Sequence, residues 1–215
     1  MAMLRRHDYY ILPVVNVDGY VASWASPQSR MKRKSMNLAA ECSGVPKACG
    51  EADVDDGVDL NRNFEAAFWG KASRLGQPFS ASVMENGEGA LELFVDFHAY
   101  GSLFFLPYGW TSRNDSRRPQ DFSELESLAR LGLKGTGDSF RIGTAKDLLY
   151  AAYGTAFDWA KLGGGVKYSY AVELRPSLQG GSFFPSPNVI QRQGEELFSA
   201  LQAMSAELQR RRMRN

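Results

Sequence analysis

Short apolar runs that each stop at a polar cluster constrain the fold of this chain more than any other feature. Tyr9 to Val15 is apolar almost without a break and gives way to Asn16-Val-Asp-Gly-Tyr20. Leu91 to Phe97 runs straight into His98-Ala-Tyr100, and Lys167 to Leu174 ends in Glu173-Leu-Arg175. Leu103 to Leu106 is a further run, turning at Pro107-Tyr-Gly109. The unbroken run Tyr9 to Val15 suits a strand buried on both faces of a sheet, because neither face meets solvent, whereas Lys167 to Leu174 alternates through Tyr168, Tyr170, Val172 and Leu174, and the other two runs read as strands. Helical spacing fills the intervals. Phe122, Leu125, Leu128 and Leu131 share one face of a helix over 122–133, with Asp121 or Ser123 as its cap. Tyr153 to Leu162 reads as a short helix stopped by Gly163-Gly-Gly165. Asn188 to Arg210 reads as a long one carrying Val189, Ile190, Leu197, Leu201 and Met204. The fold class is therefore α/β. Val21 to Asp59 lacks periodicity and contains Pro27 and Pro46, so a long functional loop is expected there. Gly70 to Gly89 reads as a shorter irregular stretch.

At 215 residues and 44% hydrophobic content, the expectation is a single domain over residues 1–215. Twenty-five Lys and Arg nearly balance 24 Asp and Glu, so the charge implies neither a nucleic acid nor a membrane surface as partner. The basic tail from Arg210 to Arg214 reads as a solvated helix end. No apolar run approaches the ~20 residues of a membrane span. Leu4-Arg5-Arg6 leads directly into the first apolar run, without the pattern of a secretory signal peptide. Cys42 and Cys49 have the wrong spacing for Cys-x-x-Cys zinc or redox chemistry. A small disulfide loop and two free thiols both remain open.

The run Gly57-Val-Asp-Leu-Asn-Arg-Asn-Phe64 carries the chemistry. Asn61 and Arg62, adjacent in a loop, present an amide beside a guanidinium. That pairing suits a carboxylate: the planar Arg fork takes both oxygens and the amide adds a neutral donor. The same chain holds Asn16-Val-Asp-Gly-Tyr20, Arg30-Met-Lys-Arg33-Lys34, His98-Ala-Tyr100, Pro107-Tyr-Gly109, Tyr150 ahead of Asp158-Trp159, and Glu173-Leu-Arg175. In this order the elements resemble the zinc metallocarboxypeptidases of the carboxypeptidase A type, from about Asp8 to the C-terminal helix.

The resemblance implies a partial mixed β-sheet flanked by helices, the α/β/α fold of that family with its N-terminal part missing. It implies peptide or protein C-termini as substrates and a monomer as the working state. It gives Glu173 as the general base at a strand end, and Arg33 as the fixed charge facing a developing oxyanion. Asn61 and Arg62 become the grip on the terminal carboxylate, Tyr150 the tyrosine that closes over it, and Tyr100 a further substrate contact. His98 takes the place of a zinc ligand. The family site holds one zinc on three protein ligands, two of them in an upstream His-x-x-Glu motif. This chain has only two histidines, His7 and His98, and no His-x-x-Glu. It therefore reads as a fragment with one zinc ligand, expected to be inactive alone. Family members are usually secreted or lysosome-like, which leaves the compartment of this chain open.

Phe157 lies at the position of the family's side-chain pocket floor. An apolar floor desolvates a Lys or Arg side chain without a partner, at several kcal/mol. A preference for apolar C-terminal residues is the expectation. Two further readings stand beside this one: a non-catalytic module that binds peptide C-termini, and an aspartoacylase-like zinc acylase, because Asp59-Leu-Asn-Arg-Asn-Phe64 also resembles that class. Asn16-Val-Asp-Gly-Tyr20, Pro107-Tyr-Gly109 and Glu173-Leu-Arg175 speak for the carboxypeptidase.

Overall fold

The computed structural model describes residues 3–5, 7–36, 57–64, 91–111, 116–134, 136, 140–176 and 183–214. At its centre is a mixed sheet of β1 (Leu93–Ala99), β2 (Leu103–Leu106), β3 (Arg141–Thr144) and β4 (Tyr168–Leu174), in the order β1-β4-β2-β3. β1 runs parallel to β4, and β2 parallel to β3, while β2 and β4 are antiparallel. The expected α/β class and mixed sheet are thus both present.

Burial on both faces explains why β2 and β4 read as apolar runs. Phe104, Leu106, Tyr168, Tyr170 and Val172 point to one side, where Leu125, Leu128, Met204 and Leu208 cover them. Those covering residues come from α2 (Phe122–Leu133) and α5 (Asn188–Arg212). The two helices approach closely at Gly132, where an added Cβ would come within 2.9 Å of Met204. Tyr170, buried among apolar neighbours, satisfies its hydroxyl by donating to the Leu125 carbonyl at 3.0 Å. On the other face Leu103, Phe105 and Ala171 pack against Ala145 of α3 (Ala145–Leu148) and Phe157 of α4 (Ala156–Leu162).

The first apolar run behaves differently from its expectation. Tyr9 to Val15 forms no strand, and Ile11 is 82% exposed. An extended segment gains strand structure only from a neighbour that takes its backbone hydrogen bonds, and no described strand does so. The run is held at its start, by Tyr9 Oη to Ser205 Oγ at 3.0 Å and His7 Nε2 to the Ser205 carbonyl at 3.2 Å. It then enters α1 (Val17–Ala22), part of which was expected to be loop. Asn16 caps that helix, its Oδ1 accepting from Gly19 N–H at 3.1 Å.

Other differences are smaller. β3 and α3 were not foreseen. Asp121 stands at the start of α2 without a side-chain capping bond; its carboxylate instead holds Lys161 at 2.7 Å. α4 begins at Ala156 rather than Tyr153. Cys42, Cys49 and the stretch 70–89 lie outside the described residues.

Candidate active site

Parallel pairing of β1 with β4 sets His98 directly opposite Glu173 in register. Both stand at the C-terminal ends of their strands, where open α/β sheets collect functional groups. The Nε2 atom of His98 lies 2.7 Å from Asp96 Oδ2 and 3.0 Å from Asn61 Nδ2. Asp96 was missed in the sequence, although residues two apart on a strand share a face. Burial alone would lower the His98 imidazole; its bond to Asp96 and the charges of Asp96 and Glu173 outweigh that and hold it above its ordinary value. Nε2 faces an amide donor on one side and a carboxylate on the other. It can satisfy only one of them in either protonation state.

Glu173 is pushed up by burial and by the charge of Asp96, while His98, Arg33 and Arg62 pull it down. Its Oε2 is buried without a hydrogen-bond partner. The simplest alternative role, a structural pair with Arg175, does not describe it: Arg175 takes Glu196 of α5 as its carboxylate partner, at 2.9 Å.

Asn61 and Arg62 sit in a short helical turn at Leu60–Arg62. Asp59 builds that turn, accepting from Asn61 N–H through Oδ1 at 3.0 Å and from Arg33 Nε through Oδ2 at 2.9 Å. Arg33 is thereby drawn toward the same site, and the Arg33 and Lys34 carbonyls each accept from Asn16 Nδ2 at 3.0 Å. Asn61 Oδ1 accepts from Ala156 N–H at 2.8 Å, which fixes its Nδ2 toward His98. Arg62 donates to the Asn61 carbonyl at 2.7 Å and to Tyr150 Oη at 3.2 Å.

The expected residues thus converge in part. Arg33, Asn61, Arg62, Tyr150, His98 and Glu173 are linked by direct bonds or by their mutual fields. Tyr150 is 55% exposed. Tyr100 follows β1 and packs edge-on against Phe183, ring centroids 4.8 Å apart. Phe157 is 2% exposed, part of the core beneath the site.

Comparison of the chain with known proteins assigns its family. The protein belongs to the zinc carboxypeptidase family (peptidase M14), matched over residues 1–200. It is 32% identical to human carboxypeptidase O over 203 residues, 87% of this chain and 50% of that protein. It is 28% identical to carboxypeptidase B of Astacus astacus, over 94% of this chain and 68% of that protein. The chain thus spans about half the length of carboxypeptidase O. Among solved structures it resembles bovine thrombin-activatable fibrinolysis inhibitor in complex with tick carboxypeptidase inhibitor, at TM-score 0.76 and 27% identity over 97% of this chain and 72% of that one. Carboxypeptidase A from Helicoverpa armigera matches at TM-score 0.67 and 25% identity, over 92% of this chain and 50% of that one.

The family implies zinc. Among the described residues, no group of three or more His, Cys, Asp or Glu could hold a metal ion. His98 Nε2 is also already shared between Asp96 and Asn61. By themselves the described residues do not fit a catalytic zinc, which needs about three protein ligands.

Proposed function

We propose that this chain supplies the carboxylate-recognition and general-base part of a zinc-dependent metallocarboxypeptidase that removes apolar C-terminal residues from peptides, represented here by a fragment without the His-x-x-Glu motif. The observation that carries this is the meeting of Asn61, Arg62 and Tyr150 beside His98 and Glu173. Arg62 and Asn61 grip the terminal carboxylate of the peptide, the guanidinium through paired N–H groups. Tyr150, exposed and bonded to Arg62, covers the bound end. Glu173, its carboxyl raised by burial and poor in hydrogen bonds, is the proton acceptor of the site. Arg33 adds positive charge on the same side. Phe157 and its apolar neighbours favour uncharged side chains beneath it.

A second reading, a module that binds peptide C-termini without cleaving them, is favoured by the lack of a metal-holding group among the described residues. Both readings share the same grip. The family match supports a carboxypeptidase over an aspartoacylase-like enzyme. The test is a calorimetric titration with a peptide ending in Leu, with the same peptide amidated, and with one ending in Lys. Tight binding of the free Leu carboxylate over both others is expected. Equal binding of the amide removes the proposed grip. Turnover of the Leu peptide with added zinc decides against the module.

A further inference from the structure

Asp158 is 1% exposed, and among the described residues it has no cationic partner. Its two carboxylate oxygens each lie 3.0 Å from the backbone nitrogen of Gly109, and the backbone N–H of Trp110 also favours its charged form. A carboxylate this deep persists only where fixed donors replace its water. Here the backbone donors belong to the turn after β2. The turn is in contact with the site through two further bonds. The Gly109 carbonyl accepts from Ala152 N–H at 2.8 Å, in the loop that carries Tyr150. The same loop offers the Gly154 carbonyl to Phe64 N–H at 3.1 Å, anchoring the segment that carries Asn61 and Arg62. Ala156, two residues before Asp158, donates to Asn61 Oδ1 at 2.8 Å and closes the circuit.

The circuit has little slack. A Cβ at Gly109 would lie 2.7 Å from the Phe157 ring and 3.2 Å from Asp158 Oδ2. Gly154, at φ +64°, would put a Cβ 2.4 Å from the Arg62 carbonyl oxygen. Gly109 therefore lets the turn close onto the Phe157 ring and the Asp158 carboxylate, and Gly154 lets backbone approach backbone, at two joints of the same ring.

We propose that Asp158 is a positioning residue for carboxylate recognition, tying the turn at Gly109 to α4 so that Asn61, Arg62 and Tyr150 keep one register. It does not touch the ligand. It acts through Gly109 and Ala152 on the Tyr150 loop, and through α4 on Asn61. The inference rests on the reading of Asn61 and Arg62 as the carboxylate grip.

The test compares the chain with Asp158→Asn, which keeps the shape but sets an amide donor against the Gly109 N–H. A peptide ending in Phe and its C-terminal amide are titrated against both, below the melting temperature of each and with circular dichroism to establish folding. The expected result is a folded variant whose preference for the free carboxylate falls on the order of tenfold, with affinity for the amide unchanged. A folded variant with the native preference overturns the proposal while leaving the grip intact. A native chain without any preference takes down both. Should the variant not fold, hydrogen exchange on the native chain decides. Gly109, Ala152 and Ala156 amides exchanging at rates within about threefold of each other report one unit, and independent exchange overturns it.

Discussion

Arg62 directs N–H groups at neutral oxygens, the Asn61 carbonyl and the Tyr150 hydroxyl. A carboxylate competes well for such a donor, because charge-assisted bonds are roughly twice as strong as neutral ones. Arg62→Lys keeps the charge and loses the fork. Its affinity for a free peptide C-terminus should fall by about 1.5–3 kcal/mol, while binding of the amidated peptide stays as it was. An unchanged dissociation constant in titration removes Arg62 from the site. Gly154 serves the same pair from the other side. Gly154→Ala meets both an unfavourable φ and the Arg62 carbonyl at 2.4 Å, so a loss of about 1–3 kcal/mol is expected in urea unfolding, and a variant as stable as the parent would show that the loop moves freely. At this scale the sequence was half legible. Asn61 and Arg62 announce themselves as adjacent donors, and Asp96 could have been found as the strand neighbour two residues before His98, whereas Asp158 and Gly154 act through contacts made only when distant segments meet.

Elements were legible where period and burial coincide, as in α2 and β4. Leu128 lies fully buried between α2 and the sheet. Leu128→Ala should cost about 2–5 kcal/mol, while Ile11→Ala, in the run expected to be a buried strand, should stay within about 0.5 kcal/mol. Denaturant midpoints separate them, and a large loss at Ile11 would restore that strand. The run misleads because an apolar segment states its preference for burial without naming the neighbour that provides it. α4 carries a pH dependence of its own. Burial lifts the Asp158 carboxyl from 3.8 to about 7 against the pull of Gly109, Thr155 and Trp110. The folded state then binds that proton more tightly than the unfolded one. The contribution to stability is full below the unfolded value and is lost as pH rises through the folded one. Asp158→Asn does not titrate, so its melting temperature relative to the parent should rise between about pH 4 and pH 7. A constant difference across that range would mean that the backbone donors, not burial, set this carboxyl.

At the scale of the whole molecule, two features combine. β1 lies at one end of the described sheet, with β4 as its only neighbour in the strand order and Phe97 43% exposed. Tyr10, Ile11, Leu12 and Val15 add a run of exposed apolar surface. A sheet edge with unpaired backbone groups is a template for another strand, and exposed apolar patches mark surfaces that seek a partner. The same strand carries His98, the residue expected from the sequence to take the place of a zinc ligand. Self-association and weak metal binding are therefore expected together. The chain expressed alone should sediment larger than a single copy, and should take up zinc more weakly than about 1 μM, because one imidazole supplies too few of the roughly three ligands a catalytic zinc requires. His98→Ala should leave that weak uptake nearly unchanged. Sedimentation velocity and a zinc titration on the same sample check both halves. A folded single copy holding one equivalent of zinc at about 1 μM or tighter, with the affinity lost in His98→Ala, would mean that the remaining ligands lie within these residues after all.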